Sequence, residues 1–132
     1  MIEYIYLASQ FGRQAEMRSI RDRLEKNPKV KVVAQWIDEK PFDHEPTEEE
    51  ISMISNRDLG DVMNCDTFVL FNPPPYLGDA AELSRGGRLY EAGFAAAIER
   101  NLIVVGEHEN IHLHEDWKHF ETVEDLLNEY RS

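Results

Sequence analysis

Short apolar runs alternate with helical patterns along this chain. The helical patterns cover residues 14–26, where Met17, Ile20 and Leu24 form one apolar stripe, and residues 47–64 and 122–131. The apolar runs of strand length are residues 2–8, 30–37, 67–72, 102–105 and 117–120. Strands that alternate with helices are typical of a parallel sheet covered on both faces. The pattern predicts one three-layer, Rossmann-like (flavodoxin-like) α/β domain over residues 1–132, with about five parallel strands flanked by helices.

Ligands of such sheets bind outside the carboxyl ends of the strands, where the strand order reverses. The loops expected at that crevice are residues 9–13, residues 72–88 and the residues that follow Gly106. Residues 72–88 are rich in proline, glycine and charge, and they are too many for an ordinary connection. This composition indicates a binding loop or lid, and the alternative is a simple insertion.

A glycine-rich loop leads directly into a predicted helix that carries Glu91 among apolar residues. Gly86 and Gly87 permit positive φ and close approach of a ligand, and the helix start offers free N–H groups and a positive dipole. We expect Glu91 to lie near that positive end and to stay ionised, while its neighbours Tyr90, Ala92 and Phe94 exclude water. This setting favours nucleophilic attack over proton donation. The alternative is a surface glutamate behind a glycine turn.

A second candidate carboxylate, Asp58, lies on the helix predicted for residues 47–64. At about 100° per residue, Asp58 falls in the centre of an apolar stripe of that helix. The stripe consists of Ile51, Ile54, Ser55 and Val62. Because burying an unpaired carboxylate is costly, Asp58 needs either hydrogen-bond donors or a functional role. Asp66 follows at the turn into the third strand, where an aspartate is common for turn chemistry alone.

The charge balance narrows the class of partner. The chain has 26 acidic and 14 basic residues, a net charge of −12, which disfavours nucleic acid polymers and anionic membranes. A small nucleotide remains allowed, since one or two arginines can hold one phosphate. The acidic run over residues 43–50 contains Thr47 and Glu50 at capping-box spacing, so we expect it to start a helix.

The remaining sequence features argue for a cytoplasmic protein without a metal or other cofactor. Cys65 is the single cysteine, the first residues lack the features of a signal peptide, and no segment has the ~18 apolar residues of a membrane span. Neither Gly-x-Gly-x-x-Gly nor the Walker A pattern occurs. Four histidines in the last third of the chain complete no recognised metal-ligand spacing. They are His108, His112, His114 and His119.

Taken together, these residues resemble the nucleoside 2-deoxyribosyltransferase family, which includes deoxynucleoside 5′-monophosphate N-glycosidases. Residues 5–9 look like its first strand, and residues 57–59 followed by residues 65–66 look like its acidic helix entering the third strand. Residues 87–93 resemble its nucleophile segment, and residues 101–105 its next strand. The likeness spans residues 2–106 and resumes at residues 120–127.

The resemblance implies that Glu91 is the nucleophile of a retaining double displacement and that Asp58 orients Glu91 or the sugar. Tyr6 would contact the nucleoside. The other expected substrate-binding residues are Ser9, Arg13, Asp66, Asn72, Ser84, Gly87 and Arg88. Of these, Arg13, Ser84 and Arg88 could hold a 5′-phosphate.

The expected partners are a deoxynucleoside or deoxynucleotide and a free nucleobase, and the resemblance also implies a homodimer or larger assembly. Several alternatives stay open at this point. The acceptor could be water or a second base, and the proton donor could be Asp66, Asp79 or solvent. The other functions considered are a glutamate-dependent NAD glycohydrolase or nucleotide-sugar processing enzyme, and a non-catalytic nucleotide-binding module.

Overall fold

A computed structural model describes residues 1–72, 87–106 and 117–131. Its strands form one sheet in which every neighbouring pair is parallel, with the order β2-β1-β3-β4-β5. The strands are β1 (Glu3–Ala8), β2 (Val30–Val32), β3 (Thr67–Phe71), β4 (Asn101–Val105) and β5 (Lys118–Phe120). This confirms the predicted parallel sheet and its flavodoxin-like order, in which the direction of winding reverses between β1 and β3.

In the described ranges, four α-helices cover the two faces of the sheet. They are α1 (Gln14–Leu24), α2 (Glu48–Met63), α3 (Gly87–Ala97) and α4 (Val123–Glu129). Side chains alternate between faces along a strand, so Glu3 and Tyr6 of β1 point to opposite faces. Tyr6 bonds to Glu91 on α3, and Glu3 bonds to Tyr130 just after α4. Because α2 packs against α3 and α1 packs against α4, each face carries one helix pair. Within the described ranges, no helix combines the length and apolar character that a membrane crossing requires.

The ends and buried faces of α1 and α2 follow from local sequence. Met17, Ile20 and Leu24 of α1 are buried, as their spacing predicts. The capping box of α2 is present: Thr47 Oγ1 accepts from the backbone N–H of Glu50 at 3.1 Å, and the Glu50 carboxylate accepts from the backbone N–H of Thr47 at 3.0 Å. The acidic run therefore starts a helix, and it places negative charge at the positive end of the helix dipole.

The second strand is shorter than its apolar run predicts. The strand ends at Val32, and residues Gln35–Asp38 form a 3-10 helix instead of continuing to position 37. Trp36 and Ile37 are still buried, and the Trp36 indole N–H donates to the carbonyl of Leu7 at 2.8 Å. An apolar run shows that residues are buried without showing whether they extend, so the prediction was wrong at this end.

The apolar stripe predicted on α2 is buried at one end of the helix only. Val62 is fully buried, but Ile51 is 53% exposed. The first turns of α2 therefore extend past the core, and Asp58, at the centre of the stripe, is half-buried.

Candidate active site

The site is built where β1, α2 and α3 meet, next to the reversal of winding between β1 and β3. Tyr6 in the middle of β1 is fully buried and stacks on Phe68 of β3, with ring centroids 5.4 Å apart and an interplanar angle of 11°. Its phenol donates a hydrogen bond to Glu91 Oε2 on α3. Because packing fixes the ring, the hydroxyl holds the Glu91 carboxylate in one place.

The Glu91 carboxyl group has an unusual affinity for its proton. Burial raises its pKa to about 7; the hydrogen bond from Tyr6 lowers the pKa, and the negative charges of Asp58 and Asp61 raise it further. We expected Glu91 to stay ionised near the helix start, and the raised pKa means that it is ionised only in part at neutral pH. Glu91 lies beyond the first turn of α3, and Tyr90 is 68% exposed and does not exclude water. Near neutral pH, a small change in surroundings decides whether this carboxylate is charged.

Asp58 faces the same site and has a cationic partner. Its Oδ1 accepts from Arg57 Nη2 at 2.9 Å and from Nε at 3.2 Å, while the same guanidinium bonds both carboxylate oxygens of Glu39 at 3.2 and 3.3 Å. Burial raises the pKa of Asp58, Arg57 opposes that effect, and Glu39 and Asp61 add to it. The structure thus brings the two predicted catalytic carboxylates within electrostatic reach of each other.

Asp61 is a third acidic residue of this site, and the sequence analysis missed it. Asp61 is only 6% exposed. Both of its carboxylate oxygens accept hydrogen bonds from Gln35: Oδ2 from the backbone N–H at 2.9 Å and Oδ1 from the side-chain amide at 2.8 Å. The signal was available, since Asp61 lies three residues after Asp58 and therefore on a neighbouring position of the same helix face.

The turn after β1 and the end of β3 are tied together, as expected for loops that flank the crevice. Arg13 Nη1 donates to the carbonyl of Asn72 at 3.2 Å, and the rest of its guanidinium binds Glu16 at 2.7 and 3.1 Å. Asn72 is 5% exposed. Ser9 Oγ is buried and has no hydrogen-bond partner among the residues that the structure describes. Ser9, Arg13 and Asn72 therefore lie at the carboxyl edge of β1 and β3, where a substrate would enter.

The remaining predicted residues divide into two groups. Gly87 opens α3 at its exposed start, and Arg88 beside it is 6% exposed, one turn before Glu91. Ser84, Asp79 and the histidines at 108, 112 and 114 lie outside the described residues.

Asp66 lies away from these residues. It immediately precedes β3, and its Oδ2 accepts from the backbone N–H of Tyr4 at 2.9 Å. The five-residue strand β3 lies between Asp66 and Asn72, which are about 20 Å apart along the sheet. The structure thus places Asp66 at the amino edge, opposite the other predicted site residues, where its side chain closes the helix-to-strand turn.

Fold and site together define a class: a parallel α/β domain with a buried tyrosine, glutamate and aspartates at its topological reversal. Among solved structures, the 2-deoxyribosyltransferase of the psychrotolerant bacterium Bacillus psychrosaccharolyticus has this fold, with a TM-score of 0.69, 18% identity and coverage of 95% of this chain and 90% of that chain. A conserved protein from Enterococcus faecalis V583 matches with a TM-score of 0.67 and 15% identity over 98% of each chain. The Clostridium botulinum CMP N-glycosidase matches with a TM-score of 0.56 and 17% identity over 96% of this chain and 97% of that chain.

These similarities show a shared fold that covers nearly the whole length of each chain. No protein-family profile matches the sequence, and no curated protein matches it. The chain therefore resembles the nucleoside 2-deoxyribosyltransferase family in architecture, with 15–18% sequence identity to these three structures.

Proposed function

We propose that this protein is an enzyme that cleaves the N-glycosidic bond of 2′-deoxyribonucleosides or their 5′-monophosphates. The observation that carries the proposal is the hydrogen bond from Tyr6 to Glu91, with Asp58 in electrostatic reach, at the reversal point of the sheet. The shared fold supports it, because two structures with this fold are named as a 2-deoxyribosyltransferase and a CMP N-glycosidase.

The chemistry we propose is a retaining double displacement. The ionised Glu91 carboxylate attacks the anomeric carbon of the sugar, and the bond to the base breaks with its electron pair going to the base, which takes up a proton. A deoxyribosyl ester of Glu91 remains. Water or a second base then attacks the same carbon, and Glu91 leaves as a carboxylate. The transition state resembles an oxocarbenium ion, which the negative charge of Asp58 would stabilise.

The surroundings of Glu91 suit both halves of that cycle. Tyr6 donates to the carboxylate, which aims one oxygen and leaves the other for attack. The pKa of about 7 means that the ionised form is available at neutral pH and is more basic than an ordinary glutamate. We assign Tyr6 to orienting Glu91 in addition to the nucleoside contact that the resemblance implies.

The sugar and any 5′-phosphate would bind at the carboxyl edge of β1 and β3. Ser9 supports this placement, because a buried hydroxyl without a described partner is suited to a ligand oxygen. Arg13, Asn72, Gly87 and Arg88 line the same edge, and Ser84 precedes Gly87 in the sequence.

We further propose that the enzyme is cytoplasmic, uses no metal or other cofactor, and works as a homodimer or larger assembly. Large apolar side chains exposed on α2 and α3 support the assembly. These are Ile51, Met53, Met63, Leu89 and Tyr90. Light scattering of the purified protein tests this point, and a monomer at micromolar concentration would contradict it.

The test of the function is incubation with the four deoxynucleosides and their four monophosphates, with and without a free base, followed by chromatography. Base release without an acceptor identifies a hydrolase, and a new nucleoside identifies a transferase. A parallel incubation with NAD tests the alternative, because nicotinamide release there, with no reaction of any deoxynucleoside, would identify an NAD glycohydrolase. Ligand-dependent thermal stabilisation without any turnover would instead identify a binding module.

A further inference from the structure

Arg13 is fixed at the carboxyl edge of the sheet by contacts that reach across three strands. It ends the short 3-10 turn that follows β1, and its Nη1 donates to the carbonyl of Asn72, the first residue after β3, at 3.2 Å. The backbone N–H of Asn72 donates in turn to the carbonyl of Val105, the last residue of β4, at 2.9 Å. The Arg13 guanidinium therefore lies at the reversal between β1 and β3, where ligands of such sheets bind.

Glu16 occupies the face of Arg13 that a phosphate would use. It lies in the first turn of α1, one helical turn after Arg13. Arg13 Nε donates to Glu16 Oε2 at 2.7 Å, and Arg13 Nη2 donates to Glu16 Oε1 at 3.1 Å. This pairing fills the planar fork of the guanidinium, which is also the part that grips a phosphate with two parallel bonds. Since Nη1 bonds to Asn72, each of the three guanidinium nitrogens has a partner in the protein.

The Glu16 carboxylate also changes the charge that an incoming ligand meets. Glu16 Oε2 lies 2.6 Å from Arg13 Nη2, so the two side chains together carry no net charge. A 5′-phosphate would have to displace the carboxylate from the fork and would then lie beside it, where two like charges repel each other. A 5′-hydroxyl is neutral and meets no such repulsion.

Two neighbouring polar atoms at this edge suit a hydroxyl better than a phosphate. Ser9 Oγ and Gln10 Oε1 are both buried, and neither has a hydrogen-bond partner among the residues that the structure describes. Gln10 belongs to the same turn as Arg13, because its carbonyl accepts from the Arg13 backbone N–H at 2.9 Å. An amide oxygen only accepts hydrogen bonds, so it can pair with a hydroxyl proton, whereas a phosphate dianion offers no proton.

We propose that Glu16 is a specificity-determining residue, which makes this site select 2′-deoxynucleosides over their 5′-monophosphates. The inference rests on the proposed function, which leaves these two substrate classes open. Glu16 acts against the phosphorylated class, because it fills the guanidinium fork and adds a negative charge beside it. Arg13 ties the turn after β1 to the end of β3 and makes no ion pair with the substrate. The 5′-hydroxyl pairs with Ser9 and Gln10.

The test compares kcat/KM for deoxynucleosides and for their 5′-monophosphates in three variants. Glu16→Gln keeps the size of the side chain and removes its charge. The double variant Glu16→Gln/Arg13→Gln removes the cation as well. Asp22→Asn is the matched control, because it removes an exposed acid of the same helix that pairs with Arg21 at 3.2 Å.

We expect the wild type to have a kcat/KM at least about tenfold higher for a deoxynucleoside than for its monophosphate. Glu16→Gln should raise kcat/KM for the monophosphate by about tenfold, because the released guanidinium fork can bind the phosphate. The gain should appear mainly in KM, since the phosphate is remote from the reacting carbon and is bound equally in the ground and transition states. The double variant should lose this gain, and Asp22→Asn should keep the wild-type ratio.

Three results would overturn the proposal. One is a wild type that prefers monophosphates, which would leave the proposed function standing and assign the phosphate to another group, such as Arg88. The second is an unchanged ratio in folded Glu16→Gln. The third is an equal gain in the double variant or in Asp22→Asn. Circular dichroism checks folding, and Glu16→Ala, with the same expected gain, is measured if Glu16→Gln does not fold.

A second readout does not depend on turnover. At equal ligand concentration, a deoxynucleoside should raise the melting temperature of the wild type more than its monophosphate does, and Glu16→Gln should reduce or reverse that difference. If neither class reacts but this preference holds, the proposed function fails and the selection by Glu16 stands. If the monophosphate stabilises the wild type more, the selection fails whatever the turnover. If nothing reacts and neither class stabilises the protein, both proposals fail.

Discussion

The two edges of the sheet handle their acidic side chains in opposite ways. At the amino edge, a crevice of about 450 Å³ contains Glu3, whose carboxylate accepts from the hydroxyls of Thr67 at 2.7 Å and Tyr130 at 2.8 Å. Arg100 there donates to the carbonyls of Met63 and Ile98. At the carboxyl edge, three acids act on one another, and the pKa values of two of them, Glu91 and Asp58, are raised.

The difference indicates that the acid at the amino edge stabilises the fold, whereas the acids at the carboxyl edge are there for a different reason. The amino edge shows that this sheet can place a carboxylate next to hydroxyl donors and satisfy it. Crowding three acids against a buried tyrosine opposes folding and is kept at one edge, next to the reversal of strand order where ligands bind. Under the proposed function, the raised pKa values of Glu91 and Asp58 are what the chemistry uses.

Of the substitutions that distinguish the two edges, the one expected to have the largest effect changes the rate of base release. We expect Glu91→Gln to reduce base release on the order of 10³-fold or more, because the amide cannot attack the sugar. Tyr130→Phe, a substitution of similar size at the amino edge, should keep wild-type kinetics. Chromatographic assays of base release by both variants test this prediction, and circular dichroism checks that both are folded. Substantial turnover by Glu91→Gln would contradict the proposal that the carboxylate at the carboxyl edge carries out the chemistry.

The same variant should stabilise the protein at alkaline pH. The pKa of Glu91 is raised from 4.5 to about 7, so ionisation opposes folding, and the stability present below pH 4.5 is lost as pH rises through 7. One pKa unit corresponds to about 1.4 kcal/mol, so Glu91→Gln should gain up to about 3 kcal/mol over wild type near pH 8 and nothing near pH 4. Urea unfolding at both pH values measures this, and a gain of the same size at both would contradict the account.

Tyr6→Phe should change both the pH dependence and the rate of turnover. The phenol hydrogen bond lowers the pKa of Glu91, so its loss should move the acid limb of kcat/KM to higher pH. A hydrogen bond to a charged group is worth about 1.5–3 kcal/mol, which predicts a roughly 10- to 100-fold lower rate at neutral pH. A pH–rate profile shows both effects. A limb that moves to lower pH would mean that Tyr6 does not stabilise the ionised carboxylate.

The smallest effect is expected at the amino edge. Tyr130→Phe removes one of the two hydroxyl donors to Glu3 and should cost about 1 kcal/mol of unfolding free energy. Because Thr67 still serves the carboxylate, the rate of base release should not change. Urea unfolding with parallel rate assays tests this, and a change in rate would show that the two edges are coupled.

Much of the architecture followed from local patterns. The alternation of apolar runs and helical stripes predicted the parallel sheet, and Thr47 with Glu50 predicted the start of α2. Where the prediction failed, at the end of the second strand, burial of Trp36 by a long-range indole bond could not be distinguished from burial in a strand. Such a contact joins residues 29 positions apart, and periodicity carries no information about it.

The site was predicted in part. Glu91, Tyr6 and Asp58 were all named, and the structure brings them together. Asp61 was missed although its spacing from Asp58 on one helix face was a local signal, and only its hydrogen bonds to Gln35, a partner 26 positions away, lie beyond any local rule. Asp66 was placed correctly at the turn into the third strand, and that place alone puts it at the amino end of the strand, away from the residues at the carboxyl edge. The pKa of Glu91 depends mainly on how deeply its carboxyl group is buried, and its position near the start of a helix does not predict that burial.

The measurement that tests the central claim most directly is peptide mass spectrometry of the enzyme quenched during turnover of a reactive deoxynucleoside. The account predicts that the wild type carries one deoxyribosyl group, located on the peptide that contains Glu91, and that Glu91→Gln carries none. Base release by the wild type with the sugar attached to a different residue, or steady turnover by Glu91→Gln, would contradict it.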